Sequence, residues 1–387
     1  MNPFAELVVK NFSEIFPESP KLYFSPGRIN LIGEHIDYND GFVMPAAVDK
    51  GIYYAIAENH TDTIHFYALD FDEQYIVSIH DIKNNNNWRN YVLSIVNEIS
   101  LLGSSIRGFN CVFGGDIPRG SGMSSSAAVE GGLAFALNEM FAIGLNRVEL
   151  ALLCQRAEHN FPNVQCGIMD QFANMLGKKD HVMLLDCKSL QHEYFPLLKE
   201  GYKIVLINSK VQHSLAAGEY NLRRQRCEQG LTILRSLLPI QSFRDIATVD
   251  EMEIGRSRMP VEVYNCCKYV VEEIGRTKKA AALLQLNDMK AFGNLMYATH
   301  EGLSKLYEVS CAELDFLVDQ AKQYPAVIGS RLMGGGFGGC TINIVEEDGV
   351  DDFIGQTILA YQELFAINAE AYIVATSDGT REIAITP

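Results

Sequence analysis

Basic residues are the minority in this chain: 32 Lys and Arg stand against 48 Asp and Glu, a formal net charge of −16. The average field therefore repels nucleic acid and anionic membrane surfaces, and an anionic ligand would need a local positive site or a divalent metal. No apolar run approaches the ~20 residues needed to cross a bilayer. The opening MNPFAELVVKNFSEIF has neither the basic region nor the apolar region of a signal and reads as an amphipathic helix. The nine cysteines are an odd number, scattered, with no C-x-x-C pair, which suggests reduced thiols in a cytosolic protein rather than disulfides or a zinc site. No internal repeat recurs at a fixed period. The P-loop lysine is missing as well. The stretch GGDIPRGSGMSSSAAVEGG (residues 114–132) has the glycines and serines of a phosphate cradle but not Gly-x-x-x-x-Gly-Lys-Ser/Thr.

That stretch is nonetheless the centre of the chain. A strand-like run (residues 109–113) leads into Gly120 and Gly122, which can take positive φ. From Ser124 onward the apolar residues Val129, Leu133, Ala136, Leu137, Met140 and Phe141 fall on one face of a helix of about five turns. Serines at its mouth can cap the free N–H groups. A glycine turn feeding a helix N-terminus makes an anion site suited to phosphate, held by backbone, serine hydroxyls, a metal and Arg119. The plain alternative is a capped helix with no ligand.

At 387 residues, 48% of them apolar, two domains are expected, each with its own core, divided between about residues 191 and 201. A strand at 22–25 runs into PGRINLIGEHIDY (26–38), where Glu34, His35 and Asp37 suit a metal, a hydrogen-bonding edge for a hydroxyl-rich ligand, or a solvated turn. Strands at 42–48, 51–58, 63–69 and 75–79 imply a mixed or antiparallel sheet. A helix at 88–101, capped by Asn87, puts Trp88 and Tyr91 on one side, a spacing more typical of a core than of a ligand site. A second helix over 147–160 ends in Glu158-His159, and Asp170 follows among apolar residues, either desolvated or on a cleft wall. Strands at 182–186 and 203–208 close this half. Helices fit 214–238, 262–284, 288–307 and 311–323. Arg223, Arg224 and Arg226 of the first read as a solvated face, and the last opens with a Ser310-x-x-Glu313 capping box. Gly334, Gly336 and Gly339 match G-x-G-x-x-G, but a β-rich run follows where a Rossmann fingerprint requires a helix, so a hairpin turn is expected between strands 327–332 and 340–345.

Three glycine-bearing stretches in this order, PGRINLIGEHIDY (26–38), IPRGSGMSSSAA (117–128) and LMGGGFGGC (332–340), resemble the GHMP family of small-molecule kinases. The first is similar to the galactokinase signature of that family. Ala157-Glu158-His159, residues 166–172, HSLAAGEY (213–220) and YEVSCAELD (307–315) extend the match over residues 24–340. The resemblance implies an α+β, two-domain GHMP kinase fold with mixed and antiparallel sheets, domains 1–197 and 198–387, and an active site in the cleft between them. It implies transfer of the γ-phosphate of ATP to O1 of α-D-galactose. Arg28, Glu34, His35 and Asp37 would face the sugar, with the Gly167 backbone, the Asp170 carboxylate and the Tyr220 ring. Trp88 and Tyr91 match aromatics near the adenine, against the core reading above. Gly120, Ser121, Gly122, Met123, Ser124, Ser125, Ser126 and Ala127 match the nucleotide loop, Met123 standing where many relatives carry leucine. Ser126 and Glu158 match ligands of Mg²⁺, although Ser124 and Ser125 crowd the same helical turn. Asp170 would accept the O1 proton or orient that hydroxyl, and Arg28 would pair with it. Galactose and ATP are thus the expected partners, with no nucleic acid or membrane, in a cytoplasmic monomer. A catalytically silent galactose sensor and an N-acetylgalactosamine kinase are the competing readings.

Overall fold

The computed structural model of the protein describes residues 2–85, 87–103, 106–197, 201–212 and 216–385. Strand Lys21–Asn30 is buried at every position after its first, so both faces must be covered. Successive residues divide between two cores with the two-residue period of a strand. Leu22, Phe24, Tyr53 and Ala55 pack against Ala5, Val8 and Phe12 of the N-terminal helix Pro3–Ile15. Tyr23, Ile52 and Tyr54 face the opposite side, with Leu133 and Ala136 of helix Ser125–Met140.

These strands belong to a six-stranded sheet in the order Arg381–Ile383, Lys21–Asn30, Pro45–Glu58, Phe109–Gly115, Thr63–Ala68, Glu73–Ser78. Every pairing is antiparallel except that of Thr63–Ala68 with Phe109–Gly115. The two strands expected at 42–48 and 51–58 are organised differently. Pro45–Glu58 is one continuous strand, while Phe42–Val43 joins a small sheet with His181–Asp186 and His192–Pro196. Gly51 does not turn the chain. It lets two strands approach, since a Cβ there would stand 2.5 Å from the Phe24 ring.

A second, fully antiparallel sheet runs Val327–Leu332, Gly338–Glu346, Tyr202–Gln212, Glu370–Val374. Its first two strands form the expected hairpin around the glycine run. Long helices Val261–Gln285 and Met289–Lys305 accompany it. The last strand, Arg381–Ile383, returns to the edge of the first sheet against Leu22–Phe24, so the chain's end is fastened to its beginning.

Three local expectations are corrected. Helix Ala312–Ala321 is capped from Cys311 without a side-chain bond, because the Ser310 hydroxyl instead donates to Asp315 Oδ1 at 2.6 Å. Helix Arg89–Leu101 starts one residue late, although Asn87 Oδ1 does accept the Arg89 N–H at 3.0 Å. Arg223 is no solvated charge: it is 5% exposed and donates to the Tyr307 and Glu308 carbonyls at 2.8 and 2.7 Å. Among the described residues no helix is long and apolar enough to cross a membrane.

Candidate active site

Strand Phe109–Gly115 delivers the chain to a turn in which Gly120, Gly122 and Ser124 all take positive φ (70°, 71° and 56°). The turn is stitched to the first strand by the Arg28 N–H, which donates to the Met123 carbonyl at 3.0 Å, and by Arg28 Nη1 on the Gly122 carbonyl. Ser124 occupies the N-cap position of Ser125–Met140 but does not cap it, contrary to the expectation for these serines. Its left-handed backbone turns the hydroxyl across the cleft, where it donates to Asp170 Oδ2 at 2.6 Å. The helix therefore has no side-chain cap, and its first amides remain available to an anion. Arg119 has its guanidinium 4.4 Å from the Phe71 ring centre.

Beside the turn opens an apolar cavity lined by Ile52, Phe71, Trp88, Tyr91, Phe113, Ile117 and Val129, with Asp70, Arg119, Ser125 and Ser126 at its polar end. Trp88 stacks on Phe71 with ring centres 5.6 Å apart, and its Nε1–H donates to Glu73 at 2.7 Å. Trp88 and Tyr91 are thus cavity walls and not closed core. Phe71, in a short turn after strand Thr63–Ala68, carried no signal in the sequence.

On the other side of Asp170 lies a second, polar cavity. Arg28, Glu34, His35, Asp37, Glu158, Gly167, Asp170 and Tyr220 line it, together with Cys166, Gly334 and Gly335. Seven segments bring these together, the loop between helices Arg147–Asn160 and Met169–Leu176 supplying Cys166 and Gly167. Arg28 comes from the first strand, the Glu34–Asp37 group from the loop beyond it, and Glu158 from the last turn of helix Arg147–Asn160. Asp170 opens helix Met169–Leu176, Tyr220 stands on helix Ala216–Arg235, and the glycines form the hairpin turn of the second sheet. Of the HSLAAGEY match, residues 213–215 lie outside the described residues.

The centre of the arrangement is a bidentate ion pair. Arg28 Nε and Nη2 donate to Asp170 Oδ1 and Oδ2 at 2.8 and 2.9 Å, so Asp170 carries Arg28 on one side and the Ser124 hydroxyl on the other. Around it the carboxylates differ. Burial, followed by the charges of Asp170 and Glu34, pushes Asp37 up to about 7. Burial and the Asp170 charge likewise push Glu158 up to about 7, against hydrogen bonds from Cys166 and Ser126 that oppose the rise. Burial acts upward on Glu34 too, but Arg331, Arg28 and His35 outweigh it and hold this carboxyl below its ordinary range. The Arg331 contact, Nη1 to Glu34 Oε2 at 2.8 Å, joins two fully buried groups.

Sequence reasoning missed Arg331, although it directly precedes the LMGGGFGGC match. It also missed Tyr38 and Tyr307, which sit inside matched motifs but were given no role. Among the described residues no three His, Cys, Asp or Glu are grouped so as to hold a metal ion, Glu34, His35 and Asp37 included.

Gly167 has no room for a side chain, since a Cβ would lie 1.9 Å from Asp37 Oδ2. Gly167→Ala should displace the Asp37 carboxylate and weaken binding in the polar cavity by roughly tenfold or more, with little loss of affinity in the apolar cavity. Calorimetric titration of each ligand separately checks this; an equal loss of both affinities would mean the clash spreads beyond Asp37.

Residues 10–58 match the galactokinase galactose-binding signature, 90–178 the GHMP kinases N terminal domain, and 280–357 the GHMP kinases C terminal domain. The chain is 40% identical over 380 residues to a galactokinase of Clostridium acetobutylicum, covering 97% of this chain and 98% of that protein. It is 39% identical over 387 residues to one of Bacillus subtilis, covering 96% and 97%. Its fold superposes on that of Lactococcus lactis galactokinase, solved in complex with galactose, with a TM-score of 0.94 at 31% identity over 98% of this chain and 99% of that one. Methanococcus jannaschii mevalonate kinase, 20% identical with a TM-score of 0.62 over 93% and 99%, shares the fold.

Proposed function

The chain belongs to the galactokinase family of the GHMP kinases, and from that premise we propose how its two cavities divide the work. The reaction is transfer of the γ-phosphoryl group of ATP to O1 of α-D-galactose, giving galactose 1-phosphate and ADP. The observation that carries the reading is the position of Asp170. It lies between a polar cavity fit for a polyol and an uncapped helix N-terminus fit for phosphate.

Adenine sits in the apolar cavity against Trp88 and Tyr91. The turn Gly120–Ser121–Gly122–Met123–Ser124–Ser125–Ser126–Ala127 offers amides and hydroxyls to the phosphates. Galactose takes the polar cavity, with Glu34, His35, Asp37, Tyr220 and the Gly167 backbone around its hydroxyls. Asp170, fixed by Arg28 and Ser124, accepts the O1 proton as the new O–P bond forms. Arg28, permanently charged and buried, offsets negative charge at the transferring group. Phosphoryl transfer passes through a loose transition state, so this positioning and neutralisation make up most of the catalysis.

Magnesium fits the residues present. The Ser126 hydroxyl meets the Glu158 carboxylate, giving two hard oxygen donors beside the phosphate turn. One helical turn beyond Ser126, the buried Glu130 carboxyl has no hydrogen-bond partner, and after burial the charges of Glu158 and Asp170 push it upward. A cation would relieve that excess of negative field. Ser126 and Glu158 are the residues that would hold the ion, which when bound would supply countercharge to the ATP phosphates. Glu158→Gln should raise the Mg²⁺ concentration for half-maximal rate by about tenfold or more with galactose affinity nearly unchanged. An unaltered Mg²⁺ dependence would reduce Glu158 to a structural carboxylate held by Gln171 Nε2 at 2.8 Å.

Sugar choice tests the whole assignment. Asp37 and Tyr220 are expected near O4, so glucose, with O4 equatorial, would leave buried polar groups unpaired and lower kcat/KM by roughly 10²-fold or more. Coupled ADP release across hexoses and their 2-acetamido forms measures this. Equal kcat/KM for glucose and galactose would contradict the assignment, and preference for a 2-acetamido sugar would change the substrate.

A further inference from the structure

Behind His35, away from the cavity it lines, runs a chain of hydrogen bonds with no part in the roles above. His35 Nδ1 is 2.8 Å from the Tyr38 hydroxyl, which is 3.0 Å from the Tyr307 hydroxyl, which is 3.2 Å from Cys227 Sγ. At the other edge of the ring, His35 Nε2 is 3.2 Å from the Gly335 carbonyl oxygen. Tyr307 and Cys227 are fully buried, so no water competes for these groups.

Two constraints fix the direction of the bonds from His35 to Tyr307. A carbonyl oxygen only accepts, so His35 Nε2 carries a proton. Burial holds the imidazole well below its ordinary range, at about 4, so near neutral pH the ring is neutral and Nδ1 is an acceptor. Tyr38 must then donate its single proton to Nδ1. Its oxygen receives the proton of Tyr307, and Cys227 Sγ packs against the Tyr307 oxygen while also bonding Cys266. Donation runs from Tyr307 through Tyr38 to His35 and ends in the Nε2–H bond to the Gly335 carbonyl.

We propose that Tyr38 and Tyr307 are positioning residues that lock His35 as its Nε2–H tautomer, so that the ring is pinned to the Gly335 carbonyl and holds the Glu34–Asp37 loop against the glycine hairpin at the wall of the polar cavity. The backbone agrees with such a lock. His35 has a φ of 61°, a left-handed conformation that costs a non-glycine residue and persists only where surrounding contacts over-determine it. Asn39 Nδ2 supplies another of those contacts, donating to the His35 carbonyl at 3.1 Å. Tyr307 is itself anchored, its carbonyl receiving Arg223 Nε at 2.8 Å. A buried guanidinium on the helix Ala216–Arg235 therefore fixes the far end of the relay, and a sequence-level surface arginine acquires a purpose.

The proposal rests on reading this cavity as the sugar site, and its test separates the two. In the free wild-type protein, ¹⁵N-detected NMR of the His35 ring should show the pure Nε2–H pattern from pH 6 to 8. A protonated Nδ1 or an imidazolium in that range would overturn the lock, whatever the variants do. Tyr38→Phe keeps the ring and deletes the donor. It should move the Nδ1 resonance toward that of an unbonded imidazole nitrogen and raise the galactose Kd and KM by about tenfold, with kcat and the KM for ATP within about twofold. Tyr307→Phe leaves the Tyr38 hydroxyl in place without its incoming donor, and an increase of only about two- to threefold in galactose Kd is expected. A galactose Kd unchanged in Tyr38→Phe, or a loss falling on kcat alone, would overturn the proposal. Should Tyr38→Phe not fold, the wild-type resonances and Tyr307→Phe decide. Failure of the sugar reading shows separately, as a wild-type protein that binds no galactose.

Discussion

Asp170→Asn is expected to lower phosphorylation by roughly 10²- to 10⁴-fold while galactose and ATP affinities stay within about tenfold. The amide is isosteric, and with its oxygen in the Oδ2 position it still accepts from the Ser124 hydroxyl and Arg28 Nη2, while Nε loses its acceptor and Nη1 keeps the Gly122 carbonyl. What disappears is the group that takes the O1 proton. A second readout accompanies the rate. The charge of Asp170 is among the causes that push both Asp37 and Glu158 up to about 7, so removing it should lower both and shift any acid limb they contribute to ligand binding toward lower pH. Single-turnover quench experiments at saturating substrates measure the chemical step, and affinity titrations across pH measure the rest. Near-parental turnover would make Asp170 a binding group only. Lost affinity with unchanged chemistry would give it a purely orienting role.

Arg331→Met should carry the largest effect on stability. Arg331 and Glu34 are both buried and stand 297 residues apart in the chain, and they meet between the first strand's loop and the hairpin of the second sheet. Removing the guanidinium strands a buried carboxylate, a change that costs about 3–5 kcal/mol. At roughly 2–4 °C per kcal/mol for domains of this size, Tm should fall by at least about 6 °C. The sign of its pH dependence is diagnostic. In the wild type the folded state depresses Glu34, so this pair's stabilisation is present above the ordinary glutamate range and lost as pH falls through the depressed value. Without Arg331 only Arg28, His35 and the Gly334 N–H still oppose burial at Glu34, so the depression shrinks and the stabilisation above the glutamate range shrinks with it. The Tm difference should therefore widen as pH rises from the depressed value to the ordinary glutamate range. Adding Glu34→Gln should return much of the loss. A difference independent of pH, with no recovery in the double variant, would mean that packing and not charge is at stake.

What could be read in the sequence, and what could not, follows from the range of the interactions. Helix Arg147–Asn160 was legible because its apolar periodicity is local; the capping box at its start, Asn146 with Glu149, went unread. The glycine run was legible as a hairpin because the residues after it alternate as a strand does. Strand Arg381–Ile383 has only three residues and no pattern; its place depends on the free edge of a strand more than 350 residues away. Ser124 was read as a cap because that is the local use of such a serine, whereas the folded chain offers it a stronger acceptor in Asp170. Arg223 was read as solvated because its helix is polar, whereas two carbonyls of residues 307 and 308 bury it. Trp88 and Tyr91 show the same limit: the spacing gave them one face but not whether that face met core or cavity. Only the resemblance to a kinase family pointed to the nucleotide.

The central claim is that a galactose hydroxyl is presented between Asp170 and the uncapped helix at Ser125–Met140, and that this hydroxyl is O1. Phosphorus NMR of the product formed from ATP and galactose tests it most directly. A single sugar phosphate coupled to the anomeric proton of an α-linked C1 is the predicted result. Phosphate on any other carbon, or ADP formed without a sugar phosphate, would contradict it.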